Sequence, residues 1–299
     1  MTEAQRTALV VGCGYTGIRL AHRLRDAGLR VVGTSRSADR GREMLAAGIE
    51  VVAGDLRQAE ILASLGELRP SVVAYCAPPQ AADDPLAAIL AATSNPSLEA
   101  FLYASSSSVY GDRGGAWVDE NTAIAPDESG DPERYAAERI VVRAGMDGIP
   151  TRVCRITGIY GPGRMLRHLL ESGQYSLIEA HDPWVNRIHV DDLVAGLIAA
   201  CENGRAGAVY NMVDERPHRA SEFANLAADL NRLPRPALIS EAEARARYDA
   251  ATLRRKLASK RVRCSRLREE LGVRLKYPDY RAGLAASATQ EQRAKQEQA

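Results

Sequence analysis

The sequence predicts an α/β protein, a doubly wound parallel sheet with a smaller C-terminal α/β lobe interleaved with it. Three observations carry that prediction. In the first half, short apolar runs alternate with helically spaced apolar residues, the pattern of a parallel sheet covered on both faces. The first apolar run leads straight into a glycine-rich turn at the opening of a helix. The 299 residues, 45% hydrophobic and 26% charged, suffice for a large core and exclude a chain disordered throughout.

Taken in order, the candidate strands are residues 8–11, 29–33, 50–53, 71–76, 100–104 and 152–156. Between the first two, Ile18, Ala21, Leu24 and Arg25 have helical spacing, and Gly28 stands where a helix would stop. Beyond residue 157 the pattern is less regular, with a helix expected over 191–202, a strand over 208–213 and a helix over 221–230. Residues 1–157 are thus expected to form mainly the sheet domain, and 158–284 mainly the lobe, with strands returning to the sheet. Residues 285–299, Gln-rich and without a large apolar residue, are expected to be a disordered polar tail.

Lys plus Arg number 39 and Asp plus Glu 38, a net charge of +1 that argues against a global grip on nucleic acid or anionic membrane. The first residues lack a secretory pattern and no apolar run approaches the ~20 residues of a membrane span, so a cytoplasmic protein without membrane contact is expected. Cys13, Cys76, Cys154, Cys201 and Cys264 are widely spaced and form no CxxC pair, which predicts reduced, mostly buried thiols and no metal. Residues 241–268 carry ten basic side chains, readable as a solvated helix face or as an anion site.

Directly after the first strand, Gly12, Cys13, Gly14, Tyr15, Thr16 and Gly17 spell GxGxxG. In that context the first glycine permits a tight turn, the second lets a pyrophosphate approach the backbone, and the third lets helix and strand pack closely. Helix N-terminal amides then face the phosphates of a dinucleotide. At the end of the second strand stand Thr34, Ser35 and Arg36 where NAD sites place an acid, so NADP(H) is favoured over NAD(H), with Arg40 and Arg42 nearby to share the 2′-phosphate. Arg36 also reads as an exposed loop charge. Asp55, next to Leu56, reads either as a partner of the adenine amino group or as a helix cap. Ala77 and Pro78, just past the fourth strand, complete the expected cofactor set.

These residues, with SSSSVYG at 105–111, WVDENT at 117–122, RITGIYGPG at 155–163, RIHVDDL at 187–193 and VYNMVDE at 209–215, resemble the extended short-chain dehydrogenase/reductase family, the NAD-dependent epimerase/dehydratase group, and most of all its atypical members. The resemblance runs from about residue 7 to 282. It implies a Rossmann-type fold and hydride chemistry on a small-molecule substrate, assisted by a Ser or Thr, a Tyr, and a Lys four residues after the Tyr. Ser106 matches the serine, and Ser107 and Tyr110 beside it are expected to meet the substrate. A naive search finds Tyr135 with Arg139, but aligning Pro126 and the Ala136-Ala137-Glu138 segment puts Gly130 at the Tyr position and Arg134 at the Lys position. Tyr135 remains a candidate substitute, although on a helix it lies roughly 140 degrees around the axis from position 130.

Further departures from the family pattern bear on the substrate. Ser107 and Ser108 replace the Asp and Glu of the dehydratases, which disfavours sugar dehydration. Val185 replaces the arginine that grips a nucleotide diphosphate, leaving Arg187 as the substrate-binding candidate. His189 reads as a core or loop residue, with Asp191 and Asp192 starting and capping the next helix. The expected function is that of an NADP(H)-dependent oxidoreductase, reductase- or epimerase-like, acting on a small carbonyl or sugar-like substrate with Ser106, Arg134 and Tyr135 as catalytic candidates. The alternatives are a sensor that binds NADP(H) without turnover and, more weakly, a nucleic-acid binder. The resemblance also implies a homodimer, through the helix at 133–146.

Overall fold

The computed structural model describes residues 5–80 and 83–297. Seven parallel strands form the central sheet: β1 (Thr7–Val11), β2 (Arg30–Ser35), β3 (Glu50–Ala53), β4 (Val72–Tyr75), β5 (Ala100–Ser106), β6 (Thr151–Ile156) and β7 (Ala208–Met212). Their order is β7-β6-β5-β4-β1-β2-β3. After β3 the chain crosses to the other side of β1, so a crevice opens between the ends of β1 and β4, where doubly wound sheets bind ligands.

Alternation along the strands sends residues to two cores. Ala8, Val10, Val72, Ala74, Leu102 and Cys154 pack under α1 (Tyr15–Asp26), α2 (Ala38–Ala46) and a helix at Val190–Asn203. Leu9, Val11, Val73, Phe101 and Val153 pack under α3 (Ala59–Glu67), α4 (Leu86–Thr93) and α5 (Pro132–Met146). Each fully buried Val, Leu or Ile contributes roughly 1.5–3 kcal/mol. A sheet buried on both faces explains why its strands read as apolar runs rather than alternating ones.

With α6 (Val190–Asn203), α7 (Ala220–Asn231), α8 (Glu241–Arg247) and α9 (Ala250–Leu257), the second half supplies short paired strands beside the sheet. Ser176–Ile178 pairs with Ala237–Ile239, Trp117–Val118 with Arg261–Val262, and Gly158–Tyr160 with Arg187–His189. Helix α6 begins one residue before the expected start. Its N-cap is His189, whose Nδ1 accepts from the Asp191 amide at 3.1 Å, rather than either aspartate. Asp192 instead accepts from the Lys276 and Tyr277 amides.

The expected disordered tail is corrected by a final helix, α10 (Tyr280–Glu297), which covers all of that stretch except its last two residues, outside those described. Small side chains let it dock closely: a Cβ on Gly283 would stand 2.1 Å from the Tyr160 hydroxyl oxygen, and Ser287 and Ala288 are buried. His189 Nε2 lies 3.1 Å from Ser287 Oγ. Burial holds that imidazole below its ordinary pKa, consistent with a structural residue. Among the described residues no helix is long and apolar enough to cross a membrane.

Candidate active site

The GxGxxG turn occupies the mouth of the β1–β4 crevice, and its three glycines sit in three different environments. A Cβ on Gly12, at φ +86°, would stand 2.7 Å from the Ala77 amide nitrogen, so this glycine lets the ends of β1 and β4 touch. A Cβ on Gly17 would stand 2.3 Å from the Gly12 carbonyl oxygen, so this one lets α1 pack on β1. Gly14 is exposed, and among the described residues no atom outside its own turn of chain lies within 4 Å of where its Cβ would be. It caps α1, whose first turn has no acidic residue and whose start has no side-chain cap. Packing therefore gives no reason for a glycine at 14, whereas an anion seated on the free amides does. These residues fit the phosphates of a dinucleotide.

Thr34 at the end of β2 accepts the Gly12 amide through its hydroxyl at 3.0 Å. Arg36 is exposed and forms no hydrogen bond or ion pair among the described residues, while Arg40 and Arg42 are engaged by Glu43 and Asp39. Asp55 accepts from the Arg57 guanidinium and amide, and that contact holds its carboxyl down at about 2. It braces the turn before α3 without capping it, since the N-cap is Gln58. Leu56 is half-buried against the core. Pro78 is exposed just beyond Ala77. Tyr15 donates its hydroxyl to the Pro162 carbonyl at 2.9 Å and so ties α1 to the 161–163 turn, while Thr16 is half-buried in the first turn of α1.

At the C-terminal end of β5, Ser106 caps a short 3₁₀ turn, with its Oγ accepting from the Ser108 amide at 3.1 Å and hydroxyl at 2.8 Å. The Ser108 hydroxyl lies 3.0 Å from Asp131, the N-cap of α5. Arg134 reaches back to the Ala104 carbonyl at 3.1 Å and to Asp131 at 3.4 Å. Beneath them Glu138 and Arg155 form a buried ion pair at 2.9 Å, with the Ser105 hydroxyl on the same carboxylate. Gly130 faces this turn, and a Cβ there would stand 2.6 Å from the Ser108 carbonyl oxygen and 3.1 Å from Gly111 Cα.

Ser106, Ser107 and Gly130 line one end of a cavity of about 730 Å³, and Arg187 lines its wall. Two other sequence candidates are placed elsewhere. Tyr110 is fully buried; it donates to the Asp119 carbonyl at 2.9 Å and lies 2.8 Å from Asn211, so it belongs to the interior rather than to the substrate space. Tyr135 donates to the Ile124 carbonyl at 3.0 Å and is absent from the cavity wall, which leaves it as a packing residue.

What the sequence did not single out is the composition of the rest of the cavity lining. Arg247, Arg254, Arg255, Lys256 and Lys260 join Arg187 there, six basic side chains against the single carboxylate of Asp112. The basic stretch thus turns partly inward on a cavity instead of forming only a solvated face. Arg187 lies over the Phe223 ring at 4.2 Å, and its Nε has no partner among the described residues. Lys256 donates to the Ser176 carbonyl and Lys260 to the Gly111 carbonyl, each at 2.9 Å. Burial brings both amines down to about 8. Such a surplus, walled by protein, focuses a field that attracts anions.

A family model, NAD dependent epimerase/dehydratase family, matches residues 8–212. The chain belongs to this family. No curated protein matches the sequence. Among solved structures, a functionally unknown conserved protein from Silicibacter pomeroyi DSS is 33% identical, with 96% of this chain and 99% of that one covered and a TM-score of 0.81. A protein of Methylobacillus flagellatus assigned to the same family is 28% identical over 97% and 100%, with a TM-score of 0.73. UDP-glucuronic acid 4-epimerase from Bacillus cereus, in complex with NAD, shares the fold at 17% identity over 96% and 99%, with a TM-score of 0.76. Membership of the family supports a nicotinamide cofactor and an oxidoreductase or epimerase-like activity.

Proposed function

We propose that this protein is an NADP(H)-dependent oxidoreductase, reductase- or epimerase-like, whose substrate is a small carbonyl or sugar-like compound carrying at least one anionic group. The observation that carries this reading is one cavity lined both by Ser106 and by six cations. The bound dinucleotide would supply or accept hydride; the chain's own residues bind and orient. Amides of the first turn of α1 would hold the phosphates beside Gly14, and Arg36, exposed and without a hydrogen bond among the described residues, would meet a 2′-phosphate. Ser106 would donate to the substrate oxygen, and the cationic wall would hold the substrate's anion. Arg134, bound to the Ala104 carbonyl and Asp131, keeps a positive charge beside the end of β5.

Calorimetry tests the cofactor half. NADPH is expected to bind at least about tenfold more tightly than NADH, a difference of about 1.4 kcal/mol, and Arg36→Ala should close the gap. Equal affinities in the wild type would sink the phosphate assignment. For turnover, a panel of phosphorylated and carboxylated ketones and aldehydes is scanned for NADPH oxidation. On an active member, Ser106→Ala is expected to lower kcat by about 100-fold, the scale of one lost donor to a developing oxyanion.

Gly130 favours a second reading. The turn leaves no room for a side chain there, which supports a loss of the tyrosine that the family pattern would place at this position. A protein that binds NADPH but oxidises it with no panel member would be a sensor. Pairing of two copies through α5 is supported by Ile140 and Met146, both exposed on that helix, and is checked by sedimentation.

A further inference from the structure

We propose that Lys260 is the proton donor to the substrate oxygen, an inference that rests on the oxidoreductase reading above. Lys260 is 8% exposed and lines the same cavity as Ser106 and Gly130. Main-chain bonds fix it from both sides. Its amide donates to the Trp184 carbonyl at 3.2 Å, and its carbonyl accepts from Asn186 at 2.9 Å. Its Nζ donates one proton to the Gly111 carbonyl, and among the described residues no other acceptor is bonded to it.

That contact places the amine on the turn that carries the reaction's serine. The Gly111 amide bonds to the Ser108 carbonyl at 2.9 Å, and Ser108 bonds to Ser106. Gly111 is also what a side chain at position 130 would collide with. The ammonium is therefore bonded to the very residue that a side chain at position 130 would meet.

The other polar groups of the cavity are placed for different tasks. Arg187, Arg247, Arg254 and Arg255 are guanidiniums, a poor class of proton donor, His181 is paired with Glu241 at 3.4 Å, and Asp112 and Arg113 act on Lys260 as opposing charges. Lys256 is bound to the Ser176 carbonyl and lies 4.3 Å from the centre of the Tyr175 ring, away from the Gly111 turn in its bonding. Lys260, brought down to about 8 by burial, is protonated at neutral pH yet gives its proton up readily, the condition that suits a general acid.

In the reducing direction the substrate carbonyl carbon accepts hydride from the reduced dinucleotide, and the carbonyl π pair moves onto oxygen. The oxygen takes a proton from Nζ. The products are an alcohol, the oxidised dinucleotide and a neutral amine, which recovers its proton from water. Ser106 orients the same oxygen throughout.

The test uses the full chain with lysines carbon-13 labelled at Cε. The resonance that disappears in Lys260→Arg reports Lys260, and it is expected to titrate near pH 8. A midpoint at the ordinary lysine value, about 10.4, overturns the inference while leaving the oxidoreductase reading intact. With an active panel ketone and NADPH, Lys260→Arg, which keeps the charge but is a far weaker acid, is expected to lower kcat about 100-fold with KM within about threefold. The wild-type fall in kcat above pH 8 should vanish in it and persist in Lys256→Arg. Lys260→Gln, which still bonds the Gly111 carbonyl, is the second variant should the arginine disturb the fold. Undiminished kcat in either variant overturns the inference. Failure of NADPH to bind the wild type overturns the oxidoreductase reading itself, and the inference with it.

Discussion

The dinucleotide end and the cavity end of this crevice are both arranged to attract anions, but they use different groups. At the first, backbone amides and glycines of one hexapeptide would form the anion seat, and no acid or capping side chain among the described residues intrudes on the first turn of α1. At the second, cations come from positions 187, 247, 254–256 and 260, borne on short helices and loops of the lobe. A backbone seat depends on main-chain atoms in contact, so a single added methyl can abolish it. A side-chain seat is spread over many residues and should lose strength in steps.

The largest expected effect lies between the two ends, at the buried Glu138–Arg155 pair that ties α5 to β6 beneath Ser106. Glu138→Ala leaves a buried guanidinium uncompensated and should cost about 3–5 kcal/mol in chemical denaturation. A loss below about 1 kcal/mol would mean that the pair does not anchor this junction. Next comes a contrast within the backbone seat. Gly17→Ala pushes a methyl into the Gly12 carbonyl and should cost about 3 kcal/mol of stability. Gly14→Ala has open space and should leave stability within about 0.5 kcal/mol, yet weaken NADPH about tenfold. If the two variants behave alike, the glycines do not divide their roles as the geometry indicates.

The same difference decides what was legible beforehand. The six central strands proposed from apolar runs, and the strand returning at 208–212, all stand in the sheet, because burial on both faces writes itself into contiguous sequence. The glycine turn was legible for the same reason. The cationic wall was not: its members are scattered over more than seventy positions, and a basic run alone does not tell an inward face from a solvated one. Tyr110 looked like a substrate ligand because it follows the serine turn, but it is turned into the interior. The final helix was missed because, beyond Leu284, its docking face is made of small residues such as Ser287 and Ala288. Tyr280, Leu284 and Ala288 fall at four-residue intervals, and that spacing was the available signal.

The cavity end also controls protonation around it. His218 is stacked on Phe223, which lies under Arg187, and burial with that nearby charge brings its imidazole down to about 4. An unfolded histidine titrates near 6.5, so between those values the unfolded chain binds more protons and the folded state loses stability as pH falls. His218→Phe removes this liability along with the contact to the Arg219 carbonyl. Its destabilisation relative to wild type should therefore shrink by up to about 3 kcal/mol from pH 6.5 to 4, read by denaturation at each pH. A gap that is constant or widens would place the burial of this ring in doubt.

The smallest effect separates the two seats most directly. With the dinucleotide seat saturated by NADPH, inorganic pyrophosphate is the probe for the cavity wall. Arg254 is exposed at its rim, so Arg254→Ala should weaken the probe only about fivefold at low salt, on the order of 1 kcal/mol. Because the lost interaction is exposed, it should fade as salt approaches 1 M, where the screening length is about 3 Å. Gly14→Ala should act the other way round, weakening NADPH through a backbone contact while the cavity wall, on a different lobe, keeps its charge. Equal salt sensitivity of the two defects would show that a single electrostatic field, rather than two separately built seats, holds both anions.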